Sequence, residues 1–260
     1  MSRKLILIAG PTASGKSSLG INLAKKINGE IINADSMQVY KEFSVLSSRP
    51  KKKDLTKVKH HLYGFISVKN HFSAGTWLKL LKKTISQCVK DKKTPIILGG
   101  TGLYFNTITM GMSKIPKIDS KTRIFVRSLH KKIGQTKFYK KLLSIDPLVE
   151  KKFPSSDTHR AMRAFEVKMY TNKSLYEWVS KTKPEFLNFD IKKFYINIPK
   201  EDLLANISKR TEGMFSNKCI SEVRKFIKIG IDSSLSANKL IGVKEIRDYL
   251  NKLSTLEKTK

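Results

Sequence analysis

The sequence predicts an α/β fold in which a parallel sheet is flanked by helices, together with a helical insertion. Short apolar runs alternate with helical patterns between residues 4 and 98, and a glycine-rich loop joins the first run to the first helix. Residues 114–185 have helical periodicity without a buried-strand run. In such sheets ligands bind beyond the carboxyl ends of the strands, so functional side chains are expected there.

The first strand is the apolar run at residues 4–9, which ends at Gly10 and Pro11. From Ser17 onward apolar residues recur at helical spacing until Gly29. Residues 30–34 form a second apolar run and are predicted to be a buried strand. This order of strand, loop, helix and strand is typical of a doubly wound sheet.

The pattern continues on both sides of the insertion. A helix is predicted from about Ser73 to Lys90, and residues 95–98 form a third strand that is followed by two glycines. Residues 194–198 are predicted to be one more strand, and helices follow from Pro199. We therefore predict a P-loop NTPase-like catalytic core, residues 1–113 and 186–260, and a helical insertion domain, residues 114–185.

The composition is that of a globular protein. The chain has 260 residues, of which 40% are apolar, and this is enough for a packed core. No apolar run reaches the ~20 residues that span a bilayer. Cys88 and Cys219 lack metal-ligand and disulfide spacing, which is typical of a reducing compartment. We therefore expect a cytoplasmic protein, monomeric and without a membrane partner.

The charge predicts a polyanionic partner. The formal net charge is +31 and the pI is about 10.1, and a field of this sign attracts nucleic acid. The chain carries 43 lysines against nine arginines, however, so a general drift toward lysine is an alternative explanation of the charge.

Residues 10–17 match the nucleotide-binding P-loop pattern G-x-x-x-x-G-K-[ST] in full, between a predicted strand and a predicted helix. In such a loop backbone N–H groups surround phosphate oxygens, the lysine adds positive charge, and the last hydroxyl coordinates Mg²⁺. We therefore predict a diphosphate-binding loop formed by Gly10, Pro11, Thr12, Ala13, Ser14, Gly15, Lys16 and Ser17, with Ser17 as the Mg²⁺ ligand. Kinases, hydrolases and other transferases share this loop, so it does not identify the reaction.

Asp35 follows the second predicted strand and is a candidate general base, because its carboxylate would lie beside the phosphate loop. A loop or helix-capping aspartate is the alternative interpretation. The third strand ends in Gly-Gly-Thr-Gly rather than in the aspartate that many NTPases use for Mg²⁺, which argues against a motor or a GTPase.

Several motifs together resemble the tRNA dimethylallyltransferase family, also called tRNA isopentenyltransferases. They occur in the family's order and cover nearly the whole chain: residues 10–17, Asp35-Ser36-Met37-Gln38-Val39-Tyr40-Lys41, His60-His61-Leu62, residues 95–104, residues 159–167, residues 210–214 and residues 241–245. The resemblance implies transfer of a dimethylallyl group from dimethylallyl diphosphate to N6 of the adenosine on the 3′ side of the anticodon, with release of diphosphate. The P-loop then holds the prenyl diphosphate in place of ATP.

The resemblance also implies roles for individual residues. Asp35 takes the proton of N6, Thr12 and Thr101 lie near the reacting centre, and Arg210 joins the P-loop in stabilising the leaving diphosphate. The residues implied to contact the anticodon stem-loop of tRNA are Asp35, Ser36, Met37, Gln38, Thr101, His159, Arg160, Ala161, Met162 and Arg163. Without the resemblance, the face that carries Arg160 and Arg163 would be interpreted as a solvated helix surface.

Three departures from the family qualify these expectations. Asn206 stands where an arginine is usual one helical turn before Arg210, so a lysine takes that role or the role is lost. Serines occupy 47 and 48, near a position where a threonine is common. A basic, tryptophan-containing C-terminal helix is also missing before Lys260, and either other lysines compensate or activity falls.

Two other functions stay open from the sequence. A P-loop kinase for a small metabolite would need an arginine-rich lid, and the chain has few arginines. An RNA-binding protein with a decayed site would bind tRNA without transferring a prenyl group. A metal site at His60 and His61 is not expected, because adjacent histidines point in different directions and the sequence shows no further ligands nearby.

Overall fold

The computed structural model describes residues 3–232 and 235–259, with the side chain of residue 217 left aside. Five strands form one sheet in the order β3-β2-β4-β1-β5, and every neighbouring pair is parallel. The strands are β1 (Arg3–Ala9), β2 (Gly29–Asn33), β3 (His60–His61), β4 (Thr94–Gly99) and β5 (Phe189–Tyr195). The predicted α/β fold with a parallel sheet is confirmed.

Helices flank the sheet and make up most of the insertion. They are α1 (Lys16–Lys26), α2 (Lys52–Leu55), α3 (Ala74–Lys90), α4 (Gly102–Thr109), α5 (Ser120–Ile145), α6 (Thr158–Thr171), α7 (Leu175–Ser180), α8 (Lys200–Met214), α9 (Asn217–Ile229), α10 (Val243–Leu250) and α11 (Leu256–Thr259), with 3₁₀ turns at Pro147–Val149 and Ser236–Lys239. The described part of the chain has no helix that is both long and apolar enough to cross a membrane.

The chain divides into two compact units. One contains Met1–Thr107 and Phe186–Lys260, and the other contains Ile108–Glu185. The division falls after Thr107, where the sequence analysis put it after residue 113, and again after Glu185. The second unit has its own core, in which Phe138 and Leu142 of α5 pack against Phe165 of α6.

The three central strands are buried because helices cover both faces of the sheet. Ile6 and Ile8 of β1, Ile31 of β2 and Ile96 and Leu98 of β4 share one apolar cluster with Ile21 and Ala24 of α1. Trp77 of α3 is fully buried, stacks on Tyr104 at 4.1 Å between ring centroids, and donates from Nε1 to the carbonyl of Asn33 at 2.9 Å. Continuous apolar runs such as these are typical of strands covered on both sides.

The sequence analysis placed the last strand too late in the chain, at 194–198 instead of Phe189–Tyr195. Asp190, Lys192 and Lys193 interrupt the apolar pattern that a buried strand would show. Among the described residues β5 pairs with β1 alone and lies at the edge of the sheet, so charged side chains can remain in solvent. The short strand β3 and the helix α4 were not predicted either.

The C-terminal helices pack against the segment that follows β2. Val39, Tyr40 and Phe43 share a buried cluster with residues of α9 and α10, including Val223, Phe226 and Ile246. The rings of Phe43 and Phe226 are 4.9 Å apart. These helices therefore form the base on which the Asp35 loop rests.

Candidate active site

The P-loop connects β1 to α1 and leaves a helix N-terminus open to an anion. Gly15, the residue before α1, has φ 86°, a left-handed conformation that favours glycine. The first turn of α1 carries no acidic residue and no side-chain cap. The hydroxyl of Ser14 is buried and has no hydrogen-bond partner among the described residues. Phosphate oxygens would satisfy both the open N–H groups and this hydroxyl.

Lys16 lies at the start of α1 with its ammonium group turned into the loop. Its Nζ donates to the carbonyl oxygen of Gly10 at 2.8 Å and also to that of Pro11. Burial lowers the pKa of Lys16, the negative charge of Asp35 opposes this shift, and the positive charge of Arg210 adds to it. A diphosphate would supply the counter-charge that this partly buried ammonium lacks.

Arg210 of α8 reaches the P-loop from the other side. Its Nη1 donates to Thr12 Oγ1 at 3.0 Å, so two residues predicted from distant motifs meet here. Burial lowers the pKa of Arg210, and the charge of Asp35 opposes this shift. Next to this contact lies a cavity of about 690 Å³, lined by Ala13, Ser14, Gly15, Ile198, Asp202, Ala205, Asn206, Lys209 and Arg210.

The cavity includes Asn206, the position where the family resemblance leads one to expect an arginine. Asn206 and Lys209 both line it, together with Arg210. Lys209 therefore provides a cation on the same helix and beside the same P-loop residues. Among the residues that line this cavity, Lys209 is the lysine that could take the role of the arginine expected at position 206.

The Asp35 loop and the residues after β4 are joined by hydrogen bonds. The N–H of Ser36 donates to Thr101 Oγ1 at 2.9 Å, and Thr101 N–H donates to Ala34 O at 3.1 Å. The Asp35 N–H donates to Asn33 Oδ1 at 2.9 Å, and Asp35 Oδ1 accepts from the N–H of Met37 at 2.8 Å. One carboxylate oxygen is therefore used to shape the loop.

Sheet order explains why these loops meet. β4 lies between β2 and β1, so Thr101 lies between the loop after β2 and the P-loop. Gly99 allows the close approach, because a Cβ at this position would stand 2.2 Å from the carbonyl carbon of Ala34. Asp35, Thr101 and the P-loop therefore share the carboxyl edge of the sheet, as the sequence predicted.

The remaining predicted residues fall into two groups. Ser36, Met37 and Gln38 lie half-buried in the loop after Asp35, and the Gln38 amide donates to the carbonyls of Ser47 and Ser48 at 2.8 and 3.1 Å. Residues 159–163 lie in α6 of the second unit. There His159 and Arg160 are exposed, Ala161 is buried, and Met162 and Arg163 are half-buried. Arg163 pairs with Glu166 at 3.3 Å.

A polar cluster that the sequence analysis missed surrounds His61. Glu30 Oε2 lies 2.6 Å from His61 Nε2 and 3.5 Å from Cys88 Sγ, and Lys59 Nζ lies 3.5 Å from Glu30 Oε1. The expectation that His61 has no further possible metal ligands nearby was therefore wrong. Burial, with the charge of Glu30 adding to it, raises the pKa of the Cys88 thiol to about 12, so without a metal ion this thiol is protonated and can donate to the Glu30 carboxylate. Lys59 forms an ion pair with Glu30, so this pair and the hydrogen bonds of His61 and Cys88 to Glu30 join the four side chains in one polar cluster.

We expect Glu30→Gln to destabilise the core unit by about 1–3 kcal/mol at neutral pH, because it leaves buried donors with poorer acceptors. Burial raises the pKa of Glu30, but the hydrogen bond and charge of His61 and the charge of Lys59 outweigh this, so the pKa of Glu30 is lowered from its ordinary value. A carboxylate whose pKa is lowered in the folded protein stabilises the fold at pH values above its pKa in the unfolded chain. This stabilisation is lost as the pH falls through the pKa of the folded state. The free energies of unfolding of the variant and the original protein, measured with urea, should therefore become equal in acid. Glu150→Gln, at an exposed position, serves as the control. If Glu30→Gln lowered the free energy of unfolding by the same amount at all pH values, the prediction would be contradicted.

The sequence and the structure both match known transferases. The family model described as IPP transferase matches residues 38–260. A tRNA dimethylallyltransferase of Pelagibacter ubique is 52% identical over 254 residues, which are 98% of this chain and 81% of the relative. A tRNA dimethylallyltransferase of Rickettsia massiliae is 40% identical over 256 residues, which are 98% of this chain and 70% of the relative.

Two solved structures are similar over nearly the whole chain. A eukaryotic dimethylallyltransferase acting on tRNA matches with a TM-score of 0.82 and 26% identity, over 96% of this chain and 64% of the other. A tRNA isopentenylpyrophosphate transferase of Bacillus halodurans matches with a TM-score of 0.66 and 27% identity, over 99% of this chain and 80% of the other.

Proposed function

This chain belongs to the IPP transferase family, and from that premise we propose that it transfers a dimethylallyl group from dimethylallyl diphosphate to N6 of the adenosine on the 3′ side of the tRNA anticodon. The family predicted from the motifs is thereby confirmed. The observation that best supports the reaction is that a phosphate loop and a carboxylate share one edge of the sheet, with Thr101 holding the loop that carries the carboxylate.

The donor would lie in the P-loop and the adjoining cavity. When the bond between the allylic carbon and oxygen breaks, the electron pair goes to the diphosphate and its negative charge grows. Lys16, Arg210 and the open N–H groups of α1 are fixed before the reaction, so they stabilise this charge without reorganisation. Lys209, on the wall of the cavity, would add a further positive charge.

The P-loop suits a Mg²⁺ ion bound together with the donor. Ser17 lies in the first turn of α1 and is exposed, so its hydroxyl can reach an ion that is held mainly by diphosphate oxygens and water. Such an ion would help to neutralise the leaving group. The buried unpartnered hydroxyl of Ser14 would turn instead to a phosphate oxygen.

On the acceptor side, N6 of adenine is a weak nucleophile that becomes acidic as it bonds to carbon. Asp35 would take this proton, a role generally worth about 10²–10⁴ in rate. Its Oδ1 already accepts from Met37, so the other oxygen, Oδ2, is the better candidate to receive the proton. Ser36, Met37 and Gln38 follow directly and would contact the base after it leaves the anticodon-loop stack.

The decisive experiment supplies labelled dimethylallyl diphosphate, Mg²⁺ and unmodified tRNA, and locates the label by nucleoside digestion. We expect label on N6 of the adenosine beside the anticodon. Binding of tRNA without transfer would point to an RNA-binding protein, and ATP turnover without prenyl transfer would point to a kinase. Either result would overturn the proposal.

We expect Arg160→Ala to weaken binding of the anticodon stem-loop and to reduce the slope of log affinity against log salt by about 0.7–0.9, the loss of one phosphate contact. Arg160 is exposed and its Nε lies 3.4 Å from Asp157, a surface pair that costs little to open. Salt titrations with labelled stem-loop would measure the slope. Arg127→Ala, an exposed arginine of α5, is the control, and equal slopes for the two variants would exclude a specific role for Arg160.

A further inference from the structure

Glu222 of α9 is bound by four donors from one turn of the segment after Asp35. Its Oε1 accepts from the Ser44 hydroxyl at 2.6 Å and from the N–H groups of Ser44 and Val45 at 3.0 Å. Its Oε2 accepts from the N–H groups of Val45 and Leu46 at 3.1 Å. Hydrogen bonds to an ionised carboxylate are stronger than neutral ones, so this contact fixes the turn firmly.

The same turn holds the side chain of Gln38. The Ser48 N–H donates to Val45 O at 2.9 Å, and Ser48 has a left-handed φ of 52°. The carbonyls of Ser47 and Ser48 therefore point together at the Gln38 amide nitrogen, which donates to both. With its nitrogen bound in this way, the amide can present its oxygen to a ligand. The orientation of Gln38 thus depends on the turn of residues 44–48.

The packing beneath the turn makes α9 a firm support. Phe43, which precedes the bound N–H groups, and Leu46, which carries one of them, are buried in one cluster with Val223 and Phe226 of α9. Val223 follows Glu222 directly, so the apolar contact and the charged contact come from adjacent positions of one helix. A change of charge at Glu222 can therefore alter the turn while the apolar packing stays in place.

We propose that Glu222 is a positioning residue for the acceptor base, acting through the turn of residues 44–48 on the Gln38 amide. The proposal rests on the proposed function, since it takes Gln38 to contact the target adenosine. Glu222 lies 176–178 residues from the turn it binds, and it contributes no group to the phosphate cavity. Its effect should consequently appear in the use of tRNA and not in the use of the prenyl donor.

A double-mutant cycle tests this coupling. We expect Glu222→Gln to lower kcat/KM for tRNA about tenfold, because the amide nitrogen of glutamine would face N–H and O–H donors that need an acceptor. The same change should alter KM for dimethylallyl diphosphate less than about twofold. In a Gln38→Ala background the same change should cost less than about twofold, since residues that act through one another are not additive. Should Glu222→Gln fail to fold, Ser44→Ala, which removes only the hydroxyl donor, replaces it in the cycle.

Glu42→Gln is the matched control. The Glu42 carboxylate also accepts from a hydroxyl and a backbone N–H, those of Ser67 and Val68 at 2.8 and 3.1 Å, but it does not bind the 44–48 turn. Its effect should add to that of Gln38→Ala. If Glu222→Gln and Gln38→Ala are additive in a protein that transfers the prenyl group, the positioning role is overturned and the proposed function stands. If the unaltered protein transfers no prenyl group to tRNA, the proposed function is overturned and this inference with it.

Discussion

Asp35→Asn should lower kcat for prenyl transfer by about 10²–10⁴ while the protein stays folded. Asparagine keeps an Oδ1 that can accept the hydrogen bond which the Met37 N–H donates to Asp35 Oδ1 at 2.8 Å in the unaltered protein. The shape of the loop should therefore persist. The amide cannot take a proton from N6. Single-turnover transfer with saturating tRNA and donor would measure the chemical step apart from binding.

The control for Asp35→Asn removes one negative charge elsewhere. Asp190 lies near the amino end of β5, whereas Asp35 follows the carboxyl end of β2. The Asp190 carboxylate pairs with Lys192 at 3.2 Å. Asp190→Asn should leave single-turnover transfer within about twofold, as is usual for a surface substitution. Near-normal turnover of Asp35→Asn would remove the carboxylate from the mechanism and leave Thr101 and the loop backbone to orient the amine.

The sequence was sufficient to predict which residues lie at the carboxyl edge of the sheet, because each of them follows a strand that has a short local signal. The P-loop lies between an apolar run and a helical pattern, Asp35 ends the second run, and Thr101 follows the glycines after the third. Parallel strands bring their carboxyl ends to one edge, so these residues had to meet once the strands were identified. The pairing of Arg210 with Thr12 needed the family resemblance, because 198 residues separate them.

Other features escaped prediction because they depend on contacts with no local pattern. The charged residues of β5 resemble a loop until the strand is seen to lie at the sheet edge. Glu30, His61 and Cys88 belong to three separate elements, and only the parallel pairing of β2 with β3 brings two of them together. Glu222 occurs on an amphipathic helix whose partner turn cannot be identified from spacing. In each case packing of distant segments decides the outcome.

Lys16→Ala should lower kcat/KM for transfer by about 10²–10³, the usual cost of removing one preorganised donor from a developing anion. Its ammonium group also contacts Gly10 and Pro11, so part of the loss would come from a loosened loop. Inorganic diphosphate cannot undergo prenyl transfer, so its affinity would measure the loss of binding apart from the loss in the chemical step. We expect its affinity to fall about 10–100-fold, in line with the loss of one hydrogen bond to a charged group.

Lys25→Ala, an exposed lysine in the last turn of the same helix, provides the comparison. It removes the same charge and side chain from α1, but at the end where the helix dipole disfavours an anion. Diphosphate affinity and transfer should both stay within about twofold of the original protein. If the two lysine variants lose diphosphate affinity equally, the general positive field of this +31 chain, and not the P-loop, is what attracts the donor.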